Sequence, residues 1–128
     1  MVLTLPASAA LAGAALAGLV VLFQIALALG APWGHLTMGG RWRGRLPAGG
    51  RIAALVSAAV MLGIAAVFLG LGGWTAPPPR WAGWVVVGFL ALSVALHLIT
   101  PSRAERRLWL PVVVAMLAAA LTVMVAGG

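Results

Sequence analysis

The sequence predicts an all-α fold: a transmembrane four-helix bundle made of helical hairpins 1–2 and 3–4, with both termini on the outer side. Two observations predict it. Four apolar runs, at about residues 6–29, 52–74, 81–100 and 108–126, are each near the ~20 residues that span a bilayer. The eight arginines and the single glutamate fall in the gaps between these runs. Arg41, Arg43, Arg45 and Arg51 follow the first run. Arg103, Arg106 and Arg107 follow the third, beside Glu105, and only Arg80 lies between the second and third. Short basic loops are retained in the cytoplasm, so parity puts both basic loops inside.

Composition agrees. The chain is 64% hydrophobic and 7% charged over 128 residues, whereas about a quarter of the residues of a soluble domain are charged. The whole chain, residues 1–128, is therefore expected to be one integral membrane domain. The net charge of +7 does not point to nucleic acid, because the arginines flank spans and form no stripe on a folded surface. Their expected partners are membrane lipids, anionic ones preferred. Cysteine, lysine and tyrosine are absent, which excludes disulfides, thiolate metal sites, Schiff-base and tyrosyl chemistry. Ala7-Ser8-Ala9 has the composition of a cleavage site but precedes the apolar run, and no basic stretch comes before it, so the first run is read as a retained helix.

Each element has its own signals. Helix 1 runs from about Pro6 to Leu29 and is stopped by Gly30 and Pro32. A long glycine-rich connection, residues 30–51, leads to helix 2 at about Ile52–Trp74. Pro77-Pro78-Pro79 then makes a stiff turn. Helix 3 covers about Trp81–Thr100 and ends at Pro101. Ser102-Arg103-Ala104-Glu105 has the form of a capping box, so helix 4 starts there. Pro111 removes a backbone hydrogen bond, and a kink is expected between a headgroup-level segment Arg103–Leu110 and a membrane segment Val112–Ala126. The tryptophans divide between two interfacial belts, Trp33, Trp42 and Trp109 inner and Trp74, Trp81 and Trp84 outer. Leu27-x-Leu29-x-x-Pro32 matches Leu96-x-Leu98-x-x-Pro101, and Leu46-Pro47 matches Leu110-Pro111, which raises a duplication of the hairpin.

Small residues recur four apart on helix 1 in two adjacent ladders, Ala9/Gly13/Ala17 and Ala10/Ala14/Gly18. Helix 2 offers Ala59/Gly63 and Ala66/Gly70, and helix 4 offers Ala115/Ala119. Such ladders let backbones approach in lipid. They serve packing within the monomer or, through the second ladder of helix 1, a homo-oligomer or larger membrane complex. Gln24 shares the face of Gly13 and Ala17, so it is expected to hydrogen-bond another helix.

Four polar residues share one depth toward the inner side: Gln24, Ser57, Ser93 and His97. Ser93, His97 and Thr100 lie on one face of helix 3. Intramembrane polar residues face the bundle interior, and this layer is either a set of structural hydrogen bonds or a ligand or ion site. His35 and His97 are the only candidate haem or metal ligands, and no third strong ligand accompanies them. Glu105 is accounted for by its capping box. No acid lies within a span, which argues against a proton- or sodium-coupled transporter. Gly39-Gly40-Arg41-Trp42-Arg43-Gly44-Arg45 combines glycines with arginines, which suits anions, but lacks the glycine-lysine pattern of a nucleotide loop. Arg41, Arg43, Arg45, Arg103, Arg106 and Arg107 are thus the expected contacts to headgroups or to a partner protein.

Gly30-Ala31-Pro32-Trp33-Gly34, Gly39-Gly40, Arg45-Leu46-Pro47, Pro101-Ser102-Arg103-Ala104-Glu105-Arg106 and Trp109-x-Pro111 resemble the loop motifs of a group of small four-helix integral membrane proteins from GC-rich bacteria. That resemblance implies an architecture but no activity; the expected location is a bacterial inner (plasma) membrane, with the basic loops cytoplasmic. The expectation is a non-enzymatic accessory subunit or lipid-contacting scaffold with no catalytic residue, no cofactor and no nucleic-acid partner. Two alternatives stand beside it. One is a small oligomeric transporter or channel lined by the polar layer. The other is a membrane cofactor protein using His35 and His97.

Overall fold

The computed structural model describes residues 4–127. Four helices follow in order, α1 (Leu5–Ala28), α2 (Ala48–Leu71), α3 (Arg80–Ile99) and α4 (Arg103–Ala126). The α1–α2 connection carries two short 3-10 turns, Gly34–Leu36 and Met38–Gly40, and the described residues include no strand. All four helices are long and apolar enough to cross a membrane. The chain has the build of a small multi-pass membrane protein, all-α with four membrane-length helices as predicted.

The helix ends follow from local chemistry. Thr4 caps α1 by accepting from the Ala7 N–H. At its other end Gly30, at φ +106°, lets the Gly30 and Ala31 N–H groups bond the carbonyls of Leu27 and Ala26, a Schellman closure. Gly73, at φ +84°, closes α2 the same way onto Gly70 and Leu69. This makes α2 end at Leu71, before the expected Trp74. Its start is also earlier than expected, at Ala48 and not Ile52, because Pro47 supplies an extended residue just ahead of the first turn. Pro101 ends α3, and Ser102 starts α4 by accepting from the Glu105 N–H at 3.1 Å.

Helix α4 is assigned as one continuous helix from Arg103 to Ala126, with Pro111 inside it. Pro111 is exposed, so its ring and the lost hydrogen bond fall on the outside of the bundle.

Helix α1 is the centre of the packing. It lies against α2 and α4, whereas α3 packs mainly on α4 and touches α2 only lightly. The two small ladders of α1 serve these neighbours. Ala10, Gly13 and Ala17 are buried, Ala9 and Ala14 pack on the core, and only Gly18 has open space beside it. A side chain at Gly13 would run into the Phe68 ring, which is itself fully buried. The ladders on α2 behave differently. Ala59, Gly63 and Ala66 are exposed, only Gly70 is buried, close against Pro78 of the following turn, and α2 presents Ala54, Ala58, Met61, Ile64 and Phe68 to the interior.

The tryptophans also divide differently. Trp33, Trp81 and Trp84 are exposed as belt residues would be, and Trp42 and Trp74 are half-buried. Trp109 is buried, edge-on to Phe23 with ring centroids 4.6 Å apart, and its indole N–H donates to the Leu36 carbonyl. It therefore belongs to the core and to the loop above it.

Arg43 and Ala76 are exposed at opposite ends of the bundle. In this cysteine-free chain, Arg43→Cys and Ala76→Cys should differ in reach of an impermeant thiol reagent added outside intact cells. Ala76→Cys should label and Arg43→Cys should not. Equal labelling of both would rule out a single orientation.

Candidate functional site

The α1–α2 connection does not hang free. Its neck is closed by the Gly34 N–H on the Gly44 carbonyl at 2.8 Å, and a Cβ at Gly34 would collide with the Trp42 carbonyl oxygen. From this neck the segment reaches across to the start of α4. Ser102 Oγ donates to the His35 carbonyl at 2.7 Å, and Trp109 Nε1 to the Leu36 carbonyl at 2.9 Å. The Gly39 N–H donates to Glu105 Oε2 at 2.7 Å.

The last bond needs an unusual backbone. Met38, Gly39 and Gly40 lie at φ +50°, +71° and +71°, a left-handed run that glycine adopts freely and methionine does not. Glu105 therefore makes only half of the expected capping box. Ser102 caps the Glu105 N–H, but the carboxylate turns to Gly39 and to the Thr100 hydroxyl, which donates to Oε2 at 3.3 Å. The sole acid of the chain is buried, 9% exposed, and spans 66 residues of sequence to hold a loop.

Beneath this segment is a cavity of about 130 Å³. Gln24, Ser57, Ser93 and His97, one or two polar residues from each of α1, α2 and α3, all line it. Thr37 and Glu105 join them, and Val20, Met61, Phe89, Trp109, Val113 and Met116 complete an otherwise apolar wall. Gln24 does not make the expected interhelical bond. Its Oε1 is buried without a protein partner.

His97 is held from its own helix. Its Nδ1 lies 2.7 Å from the Ser93 carbonyl oxygen. A carbonyl only accepts, so Nδ1 carries a hydrogen, and in the neutral ring Nε2 is left as an acceptor. That Nε2 is 3.9 Å from Glu105 Oε1.

His35 is elsewhere. Its side chain is exposed and lines a second, outward-facing groove of about 540 Å³ with Gly39, Gly40, Arg43, Pro101, Ser102, Arg103 and Ala104. The two histidines thus line different cavities on either side of the connection. No group of three or more histidine, cysteine or acidic side chains suited to a metal occurs among the described residues.

The arginines at this end separate into two sets. Arg51 donates to the Leu46 carbonyl and Arg106 to the Thr100 carbonyl at the end of α3, where a cation suits the helix dipole. Arg41, Arg43, Arg45, Arg103 and Arg107 are exposed, with Arg41 lying 4.9 Å over the Trp42 ring. At the opposite end Arg80 donates to the Met124 carbonyl near the end of α4.

Two polar lining residues were not placed at the cavity from the sequence. Glu105 was legible in principle, since the buried stripe Ala120, Met116, Val113 and Trp109 of α4 extends one turn back onto it. Thr37 carried no signal, because its place depends on the folded connection. No family model, curated protein or solved structure matches this chain.

Replacing Glu105 by alanine strands the Gly39 N–H. Glu105→Ala should lower stability by about 1–3 kcal/mol, the cost of a buried group left unpaired. Glu105→Gln keeps an acceptor and should lose less. Thermal unfolding in mild detergent checks the order, and two variants both as stable as the parent would contradict the latch.

Proposed function

We propose that the protein is a non-enzymatic membrane scaffold or accessory subunit whose basic end engages the phosphate headgroups of anionic lipids, with that end cytoplasmic in a plasma membrane. One observation carries the reading. The only acid at this end is turned inward onto Gly39 and Thr100, while five of its seven arginines are exposed. Among the described residues no acid pairs with those arginines, so the balancing charge comes from outside them.

The outer groove gives the contact a shape. Arg43 and Arg103 line it from opposite sides, one on the connection and one in the first turn of α4. Arginine binds phosphate through a planar pair of donors, and a helix N-terminus adds favourable dipole charge. Positive-inside retention of short basic loops supports the cytoplasmic placement, and basic residues close to a bilayer surface attract anionic lipid.

Native mass spectrometry of protein released from vesicles of mixed anionic and zwitterionic lipid tests this. The parent should retain anionic lipid preferentially. The triple variant Arg41→Gln/Arg43→Gln/Arg45→Gln should lose most of that preference, and Arg103→Gln should weaken it alone. Diffuse attraction would fall with salt as the Debye length shrinks from about 10 Å at 0.1 M to 3 Å at 1 M, whereas groove-bound headgroups should persist. Undiminished retention of anionic lipid by the triple variant would overturn the assignment.

A further inference from the structure

In a chain with eight arginines, the one carboxylate has no arginine nitrogen within 4 Å among the described residues. No arginine lines the cavity that Glu105 borders. Among the described residues the one basic atom within 4 Å of it is His97 Nε2, at 3.9 Å, which is beyond hydrogen-bond distance, and the adjacent Arg106 gives its guanidinium to the Thr100 carbonyl instead. Buried charges are ordinarily paired, and here a pairing that the sequence could easily have supplied is left open toward the cavity.

The lining says what would complete it. Glu105 Oε2 already accepts two hydrogen bonds, but Oε1 accepts none. With Nδ1 committed to the Ser93 carbonyl, the neutral His97 ring offers a lone pair at Nε2. Gln24 Oε1 is buried and unpartnered. Ser57 adds a hydroxyl that can accept or donate. Around them the wall is apolar and includes Phe89 and Trp109.

We propose that this cavity is a binding site for a small monovalent cation of the ammonium class, ammonium itself or a primary amine as small as methylammonium. Such an ion carries several N–H donors and one positive charge, matching a carboxylate oxygen, an imidazole nitrogen and an amide oxygen together. An alkali ion is a poorer match, because hard cations prefer an all-oxygen shell to imidazole. Transition metals of the imidazole-binding kind lack a third strong ligand here. Size agrees, since a cavity of about 130 Å³ holds more than a single water and so admits ammonium or methylammonium. The proposal is independent of the lipid reading, which concerns the opposite face of the connection.

The test uses the whole protein in detergent or nanodiscs at constant ionic strength. Isothermal titration and thermal unfolding are run with ammonium and methylammonium chloride, against sodium, potassium and tetramethylammonium chloride. The two donor cations should bind and raise Tm, and tetramethylammonium, which has no N–H, should not. Gln24→Leu and His97→Phe leave the Glu105–Gly39 bond in place, and each should weaken ammonium binding about tenfold, as expected for one hydrogen bond to a charged group. Glu105→Gln should abolish it. Nitrogen NMR of the histidine rings supplies a readout apart from binding: His97 should be neutral with ammonium bound. Equal effects of all five salts would overturn the proposal. So would a His97 imidazolium that persists at saturating ammonium, because the carboxylate would then already have its partner.

Discussion

A carboxylate withdrawn from water at the end of an apolar bundle is costly unless the fold bonds it, and most of the architecture at the basic end follows from how Glu105 is bonded. Its position is set by α4, where it continues the buried face formed by Trp109, Val113 and Met116. Its partners come from two other places, the Thr100 hydroxyl at the end of α3 and the Gly39 N–H in the α1–α2 connection. One side chain therefore ties three parts of the chain at one point. The left-handed backbone at Met38–Gly40 and the closed neck at Gly34 are the conditions for that tie.

The tie also sorts charge. With the acid turned in and five arginines turned out, the connection has an electropositive outer face and an acceptor-lined inner face separated by a few residues. His35 belongs to the first and His97 to the second. The two proposed sites, a phosphate contact outside and a donor-cation cavity within, thus lie on faces of opposite electrostatic character of one folded loop. Helices α2 and α3 touch only lightly, and between them they contribute Ser57, Met61, Phe89 and Ser93 to the inner cavity.

The four helices were legible because each is a membrane-length apolar run, with local causes at several of the ends: Gly30 and Pro101 as stops and Ser102 as a cap; the stop at Gly73 was missed, and helix 2 was carried on to Trp74. The depth of Gln24, Ser57, Ser93 and His97 was legible for the same reason, since helix registers fix depth once the ends are known. What could not be read was the connection. Its hydrogen bonds to Ser102, Glu105 and Trp109 join residues 66 to 73 apart, and no local pattern encodes them. Local sufficiency also misled: a capping box accounted for Glu105 and an interfacial belt accounted for Trp109, so neither was placed in the core. The small ladders on α2 failed for a related reason. Spacing shows that a face is narrow, not which neighbour it meets.

The claim that Glu105 holds the connection to the bundle is tested most directly at the Gly39 amide. Hydrogen exchange followed by NMR in detergent should show that N–H protected and shifted downfield by its charged acceptor, with protection lost in Glu105→Ala. The Gly34 amide, bonded to Gly44 within the neck, should keep its protection in the same variant. A Gly39 amide that exchanges at the unprotected rate in the parent protein would contradict the account, and the connection would then be a free loop over an open bundle end.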